Sequence, residues 1–114
     1  MQTQIENLLA KIKTDYINWS TSNGTKEISS YSQGQIDAFD DNVEVKHGKK
    51  YIKIVGGVSS GVWGFIVATD DHPKFKKGDI LKAAGYNAPA MNAARGNILD
   101  GGYTVRWTGP LYLN

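Results

Sequence analysis

The 114-residue chain is near the modal size of one domain, and its 40% hydrophobic content, with three Trp, six Tyr and three Phe, can bury a moderate core. Cysteine is absent, which excludes disulfides, thiol catalysis and cysteine-based zinc sites, and fits a reducing compartment. The formal charge of +2 hides an asymmetry: residues 1–45 carry three basic against seven acidic groups, the remainder ten against four, eight of those ten being lysines between Lys46 and Lys82.

The first element is an amphipathic helix over about residues 3–19. Ile5, Leu8, Leu9, Ile12, Tyr16 and Trp19 recur at three and four, with Lys11, Lys13 and Asp15 outward. That stripe predicts Trp19 buried against a sheet. The opening MQTQIENLLA lacks the basic end and apolar run of a secretory signal. No stretch approaches the roughly 20 apolar residues of a membrane span. A soluble, cytoplasmic protein without membrane contact is expected.

STSNGTKE breaks the helix, with Gly24 behind Asn23 as the stop. A second helix over about Ser30 to Asp41 would place Ile28, Tyr31, Ile36 and Phe39 roughly on one side, weakened by Gly34 by about 1 kcal/mol relative to Ala.

From Val43 the period changes to two. VEVKHGKKYIKIV reads as a hairpin centred on His47-Gly48, with Ile52 and Ile54 on one face and Tyr51, Lys53 and Val55 on the other. GGVSSG is a turn, and VWGFIVAT, rich in β-branched and aromatic residues, is a central strand. DDHPKFKKGD is a polar connection, because Pro73 cannot sit in a central strand. ILKAA is a fourth strand and YTVRWTG the last, with Tyr103, Val105 and Trp107 facing one way and Thr104 and Arg106 the other.

Between these strands, NAPAMNAARGN has the grammar of a short helix: Asn87 as cap, Pro89 in the first turn, Arg95 in the last and Gly96 after the end. Two readings of its polar residues stand side by side. In one, Asn92, Arg95 and Asn97 are caps and braces of an architectural element. In the other they form a cleft with Lys82, where the planar Arg95 fork receives a carboxylate or phosphate.

The run KKGDILKAAG, followed by APA, a single Asn, ARGNI and a closing WTGPLYL, resembles a group of small uncharacterised proteins encoded by tailed bacteriophages, particularly marine ones. The likeness covers about the last 70 residues and more loosely the two leading helices. It implies an origin and a setting, the cytoplasm of an infected host cell. It also implies the usual roles of phage genes of this size: accessory binder, inhibitor of a host system or minor virion part. It carries no catalytic or binding residues.

Enzyme chemistry finds little support. His47 lies at a hairpin turn and His72 in a charged loop before proline, both read as surface histidines. Asp70, Asp71 and His72 are consecutive and cannot all point at one ion. Asp79 and Asp100 are the one acid pair that could converge, yet each flanks glycine as a turn residue would. GVSSGVWG lacks the Lys-Ser/Thr ending of a phosphate loop. No catalytic residue, metal ligand or cofactor is expected.

Two non-enzymatic functions compete. One is a protein-interaction module whose contact surface includes Asn92, Arg95 and Asn97, a minor virion protein being a version of it. The other is a weak, non-specific binder of single-stranded nucleic acid, with bases on Trp63 and phosphates along Lys50, Lys53, Lys82 and Arg106. The expected fold is a single α+β domain spanning 1–114. In it a helical layer (1–42) lies on a twisted, mostly antiparallel sheet of about five strands (43–114), with a short helix before the last. An open barrel is the alternative.

Overall fold

A computed structural model describes residues 1–58, 61–101 and 103–110. It shows an α+β fold in which the N-terminal helix packs on an antiparallel sheet.

Helix α1 (Gln2–Ser20) buries Ile5, Leu8, Ile12, Tyr16 and Ser20, one seat every three or four residues. It ends where Thr21 turns its hydroxyl back onto the Ile17 carbonyl at 2.8 Å, and Ser22, Asn23 and Gly24 follow with φ of 50°, 59° and 87°. The second predicted helix is split. Helix α2 (Ser30–Asp37) starts under the Ser29 hydroxyl, which accepts from Ser32 N–H at 3.1 Å, and α3 (Phe39–Asn42) resumes after Ala38. Ile36 and Phe39 reach the core, but Tyr31 does not: it is 74% exposed.

Four strands form a meander in the order β1-β2-β3-β4: Glu44–His47, Tyr51–Val55, Val62–Val67 and Ile80–Leu81. The hairpin register is Lys46↔Lys53 and His47↔Ile52, and β3 is the central strand. Part of the GGVSSG turn, Ser59 and Ser60, lies outside the described residues. Between β2 and β3 the register slips, Ile54 facing Gly64 and Val55 facing Val62, so Trp63 is the extra residue of a bulge. The slip carries Trp63 to the helix side of the sheet, among Ile5, Leu8, Ile12, Ile66, Ile80 and Val105. Phe65 and Val67 face the other side, with Phe75 and Leu81. β3 is therefore covered on both faces.

The chain after β4 departs from the sequence reading. There is no helix at residues 87–96. Instead β5 (Ala83–Gly85) and β6 (Ala88–Pro89) form a small hairpin around Tyr86-Asn87, and the following residues run extended beside β4. Arg95 N–H donates to the Ile80 carbonyl at 2.7 Å, Ile80 N–H to Gly96 at 2.8 Å and Ile98 N–H to Gly78 at 2.9 Å, with Asp79 bridging Asn97. The physical reason is competition. An isolated helix this short is marginal in water, its alanines bury little, and Pro89 holds Ala88 extended, whereas the open edge of β4 and the turn before it offer backbone partners to Arg95 and Ile98.

The predicted last strand is likewise outside the main sheet. β7 (Val105–Arg106) pairs with β8 (Gly109–Pro110) in a separate ladder, β7 lying along α1 and β8 against β3. The alternation expected there is observed: Val105 is buried, Tyr103 and Trp107 half-buried, Thr104 and Arg106 exposed.

Candidate functional surfaces

The structure divides the sequence-predicted site residues among four places. Trp63 cannot be a stacking platform. It is 3% exposed, and its indole Nε1–H donates to the Arg106 carbonyl at 2.8 Å, tying β3 to β7.

The residues around Arg95 divide between two hydrogen-bonded settings. Arg95 is half-buried, and its Nη2 donates to Asn92 Oδ1 at 3.0 Å, an oxygen that also accepts from Ala93 N–H. Asn97 is committed to the turn before β4: its Nδ2 donates to the Lys77 carbonyl and to Asp79 Oδ1, each at 2.9 Å, while its Oδ1 accepts from Leu99 N–H. Lys82 is half-buried, and its carbonyl accepts from Ala90 N–H. Arg95 and Asn92 thus bond each other, while Asn97 is committed to the turn before β4.

Lys50 and Lys53 do come together, on the face of the β1–β2 hairpin opposite Ile52 and Ile54. A cleft of about 370 Å³ there is lined by Lys46, His47, Lys50, Tyr51, Lys53 and Asn87. Lys53 Nζ lies 4.0 Å from the centre of the Tyr86 ring and donates to Asn87 Oδ1 at 3.1 Å.

Arg106 joins a surface that the sequence reading missed. Trp19 is 61% exposed, contrary to expectation. The four-residue steps Leu8, Ile12 and Tyr16 lead to Ser20, which takes the buried seat, and rotate Trp19 about 100° away. Its indole packs against Trp107 at 5.1 Å between ring centres and against Tyr16 at 5.7 Å. Two clefts flank it. One of about 400 Å³ is lined by Asp15, Asn18, Asn23, Arg106 and Trp107; the other, about 330 Å³, lies toward Lys26, Glu27 and Ser32. Ser22 borders both, and Ser22 and Asn23 are the non-glycine residues with left-handed φ among the described residues. A left-handed serine costs about 1 kcal/mol or more, and such conformations cluster at functional sites. The available signal was the polar STSNG run set directly after a tryptophan.

His72 is also corrected. It is 8% exposed, with Nδ1 accepting from the main-chain N–H groups of Lys74 at 3.0 Å and Phe75 at 3.1 Å. Those two donors put the ring proton on Nε2, which donates to the Tyr51 hydroxyl at 2.9 Å. His72 organises the loop from inside. Its neighbour Asp71 accepts from the Thr69 hydroxyl, and Asp79 accepts from Lys76 N–H at 2.9 Å as well as from Asn97. Among the described residues no three His, Asp or Glu side chains gather as a metal site would require, and no helix is long and apolar enough to cross a membrane.

Comparisons of the chain with protein-family models, with curated proteins and with solved structures return no match.

Proposed function

We propose that this chain is a non-enzymatic protein-interaction module that presents the Trp19–Trp107 surface to a protein partner. The carrying observation is Trp19, 61% exposed on α1 beside a second indole and between two clefts. Tryptophan and arginine are the residues that most often dominate interface energetics, and an aromatic anchor rimmed by Asp15, Asn18, Asn23 and Arg106 has the composition of such a centre. A non-enzymatic role is supported by how His72 and Asp79 are used: both bind main-chain N–H groups of their own loops. The likeness to phage proteins adds the setting, the cytoplasm of an infected host cell, with a virion component as the partner if the module is structural.

The test is affinity capture from the producing cell with the wild-type chain and with Trp19→Ala and Arg106→Ala. The expected result is a protein recovered with wild type, lost with Trp19→Ala and reduced with Arg106→Ala. Recovery of the same proteins by all three overturns the reading.

A further inference from the structure

The basic cleft on the opposite hairpin is independent of the Trp19 surface. Lys46 and Lys53 are direct cross-strand partners and project from the same face. Like charges in directly opposed positions repel across a ladder, which here is offset by Glu44 beside Lys46 and by Tyr86 and Asn87 beside Lys53. The hairpin turn adds Lys49 and Lys50, which border a second cleft of about 360 Å³ that is mixed in charge, Asp71 lying on its wall. No carboxylate lines the cleft of about 370 Å³. Glu44 stands at its rim, 3.6 Å from Lys46 Nζ, an exposed pair of little energetic weight.

The turn of the β5–β6 hairpin supplies an aromatic ring. Tyr86 is 53% exposed and has Lys53 over its ring, with Lys53 held further by Asn87. Cations beside a half-exposed aromatic ring are the elements with which proteins hold single strands: lysines follow the phosphates, and a ring receives a base.

We infer that the face bearing Lys46, Lys50 and Lys53 binds single-stranded nucleic acid, with phosphates between the Lys46–Lys53 pair and along the hairpin turn and a base stacked on Tyr86. The contact reads no sequence, because it consists of phosphate neutralisation and a ring face. The two ammonium groups, set opposite one another across the ladder, together neutralise a bound phosphate.

A labelled twelve-nucleotide oligothymidylate, titrated by fluorescence anisotropy at low and at moderate salt, tests this. Weak binding is expected, with a slope of log K against log salt of about −2, as for three phosphates on a single strand. Lys46→Ala/Lys53→Ala should lower affinity at least tenfold while leaving the far-UV circular dichroism of the folded chain unchanged, and Trp19→Ala should bind as wild type. Tyr86→Ala should weaken the oligonucleotide but leave competition by inorganic pyrophosphate unchanged, which separates a nucleic-acid site from a simple phosphate site. The inference is overturned by absence of binding at low salt, by equal affinity of the double-lysine variant, or by a Tyr86→Ala variant indistinguishable from wild type. Loss of oligonucleotide binding on Trp19→Ala would instead assign the nucleic acid to the other surface.

Discussion

The carboxylate of Asp15 accepts a hydrogen bond at 2.9 Å from the main-chain N–H of Trp107, 92 residues further along the chain. This one bond, with Lys11 Nζ lying 4.0 Å from the Tyr103 ring centre, fastens the β7–β8 ladder to α1 and sets Trp107 against Trp19. A charged acceptor of a main-chain donor contributes about 1.5 to 3 kcal/mol. Asp15→Ala should therefore lose about 1 to 3 kcal/mol in urea denaturation and change the tryptophan emission, whereas Asp15→Asn, which keeps an acceptor, should lose less than half of that. Equal losses for both variants would mean the bond does not fasten the ladder.

The His72 ring organises its own loop and reaches the Tyr51 hydroxyl, and its value lies in what it accepts. Removing it leaves the N–H groups of Lys74 and Phe75 without an acceptor beneath Phe75, which is itself buried. His72→Ala should cost about 2 to 4 kcal/mol, cavity included. His72→Asn can offer an amide oxygen in place of Nδ1 and should restore part of the loss. Chemical denaturation of the two variants checks it. A His72→Ala protein as stable as wild type would show that the loop does not depend on the ring.

The glycine pattern separates necessity from accident. Gly96 has φ of 137°, and a Cβ there would stand 2.5 Å from the Tyr103 Cβ; Gly34 sits in α2 with nothing within 4 Å. Gly96→Ala should destabilise by about 1 to 3 kcal/mol. Gly34→Ala should stabilise by about 0.5 to 1 kcal/mol, because alanine restricts the unfolded chain and favours the helix. Thermal melts of the pair should move in opposite directions.

The parts of the fold legible in the sequence are those whose signal is local and repeated. The stripe Ile5, Leu8, Ile12, Tyr16 defined α1, and the alternation of Tyr51 to Val55 defined the hairpin. What was not legible depends on partners distant in sequence. The NAPAMNAARGN segment has helix caps at the right places, but the open edge of β4 decides its backbone. Trp63 alternates with Phe65 until a bulge turns it to the other face. The candidate surface suffered most: Trp19 and Ser20 are adjacent on the helical stripe, and which of them is buried depends on how Trp107 approaches from the far end of the chain. Lys50 and Lys53 could be read as a pair from hairpin spacing, while the contribution of Tyr86 needed the fold.

Alkaline pH should expose the two half-buried tyrosines. Burial raises the Tyr51 and Tyr103 hydroxyls above their ordinary value of 10.0. The unfolded chain then gives up these protons at lower pH than the folded one, so above pH 10 the unfolded state holds fewer protons and stability falls as pH rises. Below pH 10.0 the contribution is complete, and it is lost as pH climbs through the raised folded-state values. Lys46 acts with the same sign above its ordinary value of 10.5, its proton held first by the Tyr86 hydroxyl and then by Glu44. Urea midpoints at pH 8, 9.5 and 11 should therefore be flat over the first interval and fall over the second. The fall should be shallower in Tyr51→Phe and in Tyr103→Phe, because phenylalanine has no proton to lose. A fall of undiminished steepness in both variants would place the alkaline sensitivity elsewhere in the chain.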